Sequence, residues 1–497
     1  MGYPAKPGFR VRDETRHSDP MKGFELILAL GTGAMNRALQ STFHFLSSKD
    51  VRRHHRIQLP EHEFEATMTA PQIELEGAAA EMVWMLINLD RIKLKGRGYK
   101  NWSFAYPIRL RSEDLSEAEI DKMEGISDEV REILRLKARD RTAAVRNVML
   151  DFEHSSTDSF DAGRSSHEGA TREALTSVGL HKAFSQYFSA LRSWENTYSL
   201  SFFVEDLEHS QQGHQPTFVP GKGVYSVQPP GGGKAGSLDL LLMRKGQSRL
   251  PEARSFDRKW AGGGEGDGRL TISWRLILQD WLLPQIRNSL ALGNRPFRFL
   301  DVDGTGHWGI QSYEEDEEEQ WKGIDRYEWL KIQTSDFWVD TGFESGSDKT
   351  TKAIVKLDGQ WYELIQVERK ALGGGLWWST CSLPLHGRIA IIAGTDGRLS
   401  FQADLNSPNA ACTGEKNGLL IDLFNELGGN DIGSRLEGGM TNVLNYLRAL
   451  TGRAQVNLSK QLSESFLLPG GEQFFFKNAR FDDDQNLVFD VTIKAQN

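Results

Sequence analysis

Asp301-Val302-Asp303-Gly304-Thr305 is where residue type and spacing come nearest to chemistry. One carboxylate could attack a phosphorus centre while the other, two residues on, transfers protons. That makes a phosphatase using Asp301 and Asp303 the enzyme reading of the chain. The same residues also spell a turn, because Asp-Gly between Phe299 and Trp308 is a hairpin signal. A phosphatase of this kind needs alternating strands and helices after its loop. The residues that follow read instead as tryptophan-rich strands with acidic loops, among them Trp308, Trp321, Trp329, Trp338, Trp361, Trp377 and Trp378.

Other candidate sites are weaker. No G-x-S-x-G, H-E-x-x-H or P-loop occurs. The acidic run at 314–319 lacks the glycine and the ligand spacing of a calcium loop, and reads as a solvated loop. Gly31-Thr32-Gly33 has the look of a phosphate loop, but Asn36 stands where a third glycine belongs; a plain strand-to-helix turn is the simpler reading. Arg52, Arg53 and Arg56 flank two histidines in R-R-H-H-R. They offer either a solvated face or a patch for anionic head groups and peripheral membrane contact. No metal site and no cofactor is implied.

Composition bounds the rest. The chain has 497 residues, 39% of them hydrophobic, and a net charge of −9. That length allows two to four domains and a sizeable core. The acidic balance gives no reason to expect nucleic acid. The two cysteines, Cys381 and Cys412, form neither a disulfide framework nor a metal-spaced cluster, and whether they pair is left open. The polar first twenty residues lack a signal-peptide core, and no window is long and apolar enough to span a membrane. A chain that is cytoplasmic, or released without a classical signal, is expected.

The elements are mostly apolar. Residues 24–30 read as a strand, followed by a helix carrying Met35, Leu39, Phe43 and Leu46 at helical spacing. Strands are expected at 63–76, 82–95, 102–110 and 143–154, with a charged helical stretch at 112–141 capped by Ser112 or Ser116. A long amphipathic helix is expected over 168–195, with Leu175, Val178, Phe184, Phe188 and Leu191 on one side. A strand at 270–278 and a helix at 279–292, with Trp281, Leu282, Leu283 and Ile286, repeat the opening strand–helix pattern weakly. Two more helices carry Leu419 to Leu427 and Leu436 to Leu450, the second including Val443 and Leu447. The chain closes with an apolar lead into Pro469-Gly470-Gly471, an aromatic run, a polar turn and a last alternating strand. In that strand Leu487, Phe489, Val491 and Ile493 share one face.

Three segments together resemble the clostridial P-forty-seven family of toxin-cluster accessory proteins, in the TULIP (tubular lipid-binding) superfamily. Residues 24–39, with Met35-Asn36-Arg37-Ala38-Leu39, are similar to that family's first strand and helix. Residues 270–286, with Trp281-Leu282-Leu283-Pro284, are similar to a later strand and leucine–proline helix. Residues 466–493 are similar to the closing L-P-x-G-x-x-F-x-F-K segment. The resemblance implies an elongated α+β fold of long curved antiparallel sheets wrapped around long amphipathic helices. It also implies lipid binding without catalytic residues. We therefore expect a tail at 1–20 and two pseudo-repeated modules at 21–265 and 266–497 that may share strands. An apolar groove would be lined by Met35, Leu39, Phe43, Phe184, Phe188, Trp281, Leu282, Val443 and Leu447. The alternative is a protein-interaction scaffold in a toxin or secretion assembly. A groove needs no polar signature: each buried methylene is worth about 0.8 kcal/mol.

Overall fold

The computed structural model describes residues 9–11, 19–49, 56–60, 63–77, 81–158, 160–169, 180–192, 198–206, 218–232, 235–244, 249–253, 256, 259–261, 267–282, 298–301, 307–311, 314–321, 324–333, 338–345, 351–369, 375–393, 398–406, 411–415, 456–457, 462, 465–482, 484 and 486–494; from 298 to 386 the description is of backbone pairing. These residues form three antiparallel sheets. The longest described helix is Thr32–Lys49, with 18 residues.

A six-stranded sheet carries the closing strand. Its order is Pro220–Gln228, Ser237–Arg244, Leu26–Gly31, Gly268–Ile272, Leu487–Lys494, Gln473–Phe481. Strands from both sides of residue 265 therefore share one sheet. The alternation of the last strand is visible in its packing: Leu487, Phe489, Val491 and Ile493 all lie in the main core, with Phe474 and Phe476 beside them. Phe475 points away, 44% exposed, and Lys494 lies over its ring. The near-continuous apolar run of Leu26–Gly31 has a different cause. Leu26, Leu28 and Leu30 face the main core, while Ile27 and Ala29 face a second layer with Leu241, Met243, Phe256 and Trp260. A strand covered on both faces loses its alternation. Gly268 is required beside it, because a Cβ there would sit 2.3 Å from the Ala29 carbonyl oxygen.

A ten-stranded sheet contributes to the same core. Its spine runs Phe466–Leu467, Ser199–Asp206, Ala143–Asp151, Trp102–Leu115, Met82–Leu94, Phe64–Met68, Arg56–Leu59. Trp102, Phe104, Tyr106, Ile108 and Leu110 alternate inward along one strand, as Val83, Met85, Ile87 and Leu89 do along its neighbour. An eleven-stranded sheet holds the tryptophan-rich region, built on a long hairpin of Thr351–Arg369 with Gly375–Ala393.

Several boundaries differ from the sequence reading. The helix expected from Ser112 begins later, because Trp102–Leu115 continues as a strand paired with Ala143–Asp151. Ser116 then caps Glu117–Lys122 in a reciprocal capping box with Glu119, and Ser127 caps Asp128–Arg139. The strand expected at 270–278 stops at Ile272. There the Ser273 hydroxyl accepts from Leu276 N at 3.3 Å and starts a wide helical segment, Arg275–Leu282. Its i→i+5 turns keep Leu276 and Trp281 together on the core side, with Ile277. The acidic run is not a loop: it lies in the strand Glu314–Trp321, where Glu314 faces Lys331 and Glu319 faces Arg326 in register. Residues 9–11, read as tail, pair with 342–344 as a strand. Of the helix expected at 168–195, the described part is Leu180–Leu191. The helices expected around Leu419 and Leu436 lie outside the described residues, and no second strand–helix repeat of full length is seen among those described.

Asp267 ties distant segments together. Its carboxylate pairs with Arg37 on the first helix and accepts from Ile493 N at 2.6 Å; its carbonyl accepts from Gly31 N at 2.8 Å, and its N–H donates to the Val491 carbonyl at 2.9 Å. Asp267→Ala removes the first two contacts. Arg37 is partly exposed, so solvent screens that pair, and the charged acceptor of the Ile493 amide dominates. We expect a loss of about 2 kcal/mol, read as a lower urea midpoint with an unchanged slope. An unchanged midpoint would remove the tie.

Candidate functional site

Residues of the six- and ten-stranded sheets, joined by Ile389, Ile391 and Leu399 of the eleven-stranded sheet, form one contiguous apolar cluster. Two helices enter it. Thr32–Lys49 contributes Ala34, Met35, Ala38, Leu39, Phe43 and Leu46; Leu180–Leu191 contributes Leu180, Phe184, Tyr187, Phe188 and Leu191. Both sets follow from helical spacing, which places residues three and four apart on one face. The first helix is fixed by polar ties at its flanks. Asn36 Oδ1 accepts from Ile73 N at 2.7 Å, and Ser41 Oγ donates to Glu472 at 2.7 Å. Glu472 follows the Pro469-Gly470-Gly471 turn, where Gly471 adopts φ +83° and the Pro469 carbonyl accepts from Ser127 N at 3.0 Å. The closing segment thus clamps the first helix and the Asp128–Arg139 helix at once.

The second helix meets a wall of rings. Phe188 lies 4.7 Å from Tyr106 and 5.6 Å from Phe152; Phe184 lies 5.2 Å from Phe104 and 5.7 Å from Tyr106. The Tyr187 and Tyr198 hydroxyls pair at 2.9 Å. The Tyr106 hydroxyl is fully buried and has no hydrogen-bond partner among the described residues. Burial pushes its ionisation far above the usual range, so it stays a neutral donor.

Six of the nine residues expected to line a groove meet in this cluster: Met35, Leu39, Phe43, Phe184, Phe188 and Trp281. Phe43 is 7% exposed and the other five are at 0–1%, so they pack against protein rather than against open space. The Leu282 side chain, Val443 and Leu447 lie outside the described residues, as do Arg52, Arg53 and Asp303. Arg56 is exposed and its charge is already met by Glu65 on the adjacent strand. That guanidinium holds the Glu65 carboxyl below its usual range. Asp301 ends a strand, Arg298–Asp301, whose antiparallel partner is His307–Gln311, so the backbone there is a hairpin. Sequence reasoning missed Phe104, Tyr106, Phe152 and Tyr198. Phe104 and Tyr106 had a signal in the alternation of their strand, whereas Phe152 and Tyr198 lie just outside the strands Ala143–Asp151 and Ser199–Asp206.

A grouping of possible metal ligands, Asp151, Glu153 and His154, closes a turn instead. Asp151 accepts from the Glu153 and His154 amides and meets His154 Nδ1 at 2.8 Å.

P47 from Clostridium botulinum A2 superposes over 95% of this chain and 98% of its own, with a TM-score of 0.54 at 12% identity. P47 of Clostridium botulinum E1 covers 95% and 99%, with a TM-score of 0.51 at 10% identity. The chain has the P47 fold. At such identity the likeness is one of fold, over nearly the whole of both chains. A lipopolysaccharide binding protein aligns over 95% of this chain at 9% identity, but its TM-score of 0.26 is too low for a common path. No protein-family profile and no curated protein sequence matches this chain. No helix among the described residues is long and apolar enough to cross a membrane. In this chain the opening strand, the Gly268–Ile272 strand and the closing hairpin lie side by side in the six-stranded sheet.

Proposed function

We propose that this protein binds a lipid or another hydrophobic ligand, without catalysis, in the apolar interior shared by its six- and ten-stranded sheets. The observation that carries the reading is the contiguous apolar cluster shared by those sheets, entered by two helices and bordered by a buried hydroxyl at Tyr106 that has no hydrogen-bond partner among the described residues. The P47 fold supports it. An acyl chain of fifteen methylenes gains up to about 12 kcal/mol on burial before ordering costs. Because the described side chains are already packed, the chain enters by moving the Leu180–Leu191 helix away from the Tyr106 strand. Tyr106 then donates to the ligand's carbonyl or carboxylate. The proposed lining is the expected set, Met35 to Leu447, with Phe104, Tyr106 and Phe152 added. The P47 fold also supports an accessory role in a toxin cluster, which we place second.

Titration with a fluorescent long-chain fatty acid tests the reading. Saturable binding, competed by unlabelled fatty acid, is the expected result. A flat titration, with the same protein still folded by circular dichroism, would remove the proposal.

A further inference from the structure

The chain has two cysteines, 31 residues apart in sequence. The fold pairs their backbone positions across two strands. In the pairing of Gly375–Ala393 with Ala411–Glu415, Cys381 stands directly opposite Cys412, flanked by Thr380 opposite Thr413 and Ser382 opposite Ala411. Directly opposed residues of an antiparallel pair share one face of the sheet, with Cα atoms about 4.5 or 5.5 Å apart according to the type of pair. Both spacings fall inside the Cα range of a disulfide, about 4.4–6.8 Å. A slip of one residue in register would put the two on opposite faces. The coincidence is specific: the strand Ala411–Glu415 is five residues long, and its cysteine takes the register position opposite the chain's other cysteine.

We propose that Cys381 and Cys412 form a cross-strand disulfide that pins the short strand Ala411–Glu415 to the long hairpin. The oxidant is a small-molecule disulfide of the glutathione class. One cysteine thiolate attacks a sulfur of oxidised glutathione, forming a mixed disulfide and releasing one glutathione thiolate. The other cysteine thiolate attacks the protein sulfur of that mixed disulfide and releases the second. Two protein thiols are oxidised, one glutathione disulfide is reduced to two glutathiones, and the two thiol protons pass to the released thiolates. A glutathione-poised compartment therefore sets the occupancy of the staple, and reduction frees the short strand from its covalent hold.

The test uses the full chain, equilibrated with mixtures of reduced and oxidised glutathione, acid-quenched, and mapped by mass spectrometry. The expected product is a monomer two hydrogens lighter than the dithiol, with one peptide pair joining Cys381 to Cys412. Its equilibrium constant against glutathione should be at least about a hundredfold larger in the folded chain than in urea, because the fold has already closed the loop. Cys412→Ser should trap a glutathione adduct on Cys381 that the parent chain does not accumulate. Free thiols on the folded chain under oxidising mixtures would overturn the proposal. So would a disulfide between two chains, or a constant no larger than that in urea.

Discussion

Phe188→Ala should cost about 3–5 kcal/mol of stability, the usual range for removing a ring from a packed core. Phe188 is fully buried, and its ring contacts Tyr106, Phe152 and Tyr187. Those neighbours sit on the strand Trp102–Leu115, in the bend just past the strand Ala143–Asp151 and on its own helix, so they cannot all close over the gap. The loss is large beside the roughly 5–15 kcal/mol that holds a typical domain together. It should appear as a lower urea midpoint with an unchanged slope. The variant also carries a functional signature. A void lined by apolar groups stays dry and admits apolar molecules. A fatty acid that binds it should recover part of the lost stability, and recover more than it adds to the parent chain. A cost below about 1 kcal/mol would mean that the ring is not packed as described.

The second large effect is pH dependence centred on Asp239. This carboxyl is fully buried in the six-stranded sheet, on the face shared with Leu241 and Met243. One oxygen accepts from Ser237 Oγ at 2.6 Å; the other has no hydrogen-bond partner among the described residues. Burial pushes its pKa up to about 7, against the pull of the Ser237 hydroxyl and of Lys259. The unfolded chain releases this proton near pH 4, whereas the folded chain holds it until about pH 7. Between those values the folded state binds more protons, so stability falls as pH rises. The total attributable to Asp239 is on the order of 4 kcal/mol, with no further change above the folded pKa. Glu25 and Glu205 are also raised by burial and slope in the same direction. The measurement is therefore the difference between Asp239→Asn and the parent. The asparagine keeps the acceptor for Ser237 and has no proton to lose. Its stability should drop much less between pH 5 and pH 8. Parallel pH profiles for the two proteins would show that Asp239 is not the group responsible.

How much of this was legible in the sequence depends on whether the signal was local. The closing strand was readable because its inward positions, Leu487, Phe489, Val491 and Ile493, alternate within eight residues. The first helix was readable because Met35, Leu39 and Phe43 repeat at helical spacing. The start of the Glu117–Lys122 helix was readable only as a choice between two serines, since charge alone does not tell an exposed strand end from a helix. The acidic run was misread because the strand it pairs with, Ile324–Gln333, is not announced by any pattern inside the run itself. Asp267 gave no local signal at all; its partners are Arg37 and Ile493, far away in the chain. The candidate site divides along the same line. Helical periodicity found residues that are buried together, and the structure places six of them in one cluster. Periodicity reports burial rather than room for a guest. The buried Tyr106 hydroxyl, which asks for a partner, emerged only once its strand was set against the Leu180–Leu191 helix.

Native mass spectrometry of the gently purified full chain, followed by solvent extraction of any bound species, tests the central claim most directly. The account predicts a population heavier than the chain by the mass of one lipid-like molecule, lost on extraction and restored by adding a fatty acid. Tyr106→Phe should hold that molecule more weakly. A single bare mass that no fatty acid or phospholipid shifts, from protein that is folded, would contradict it.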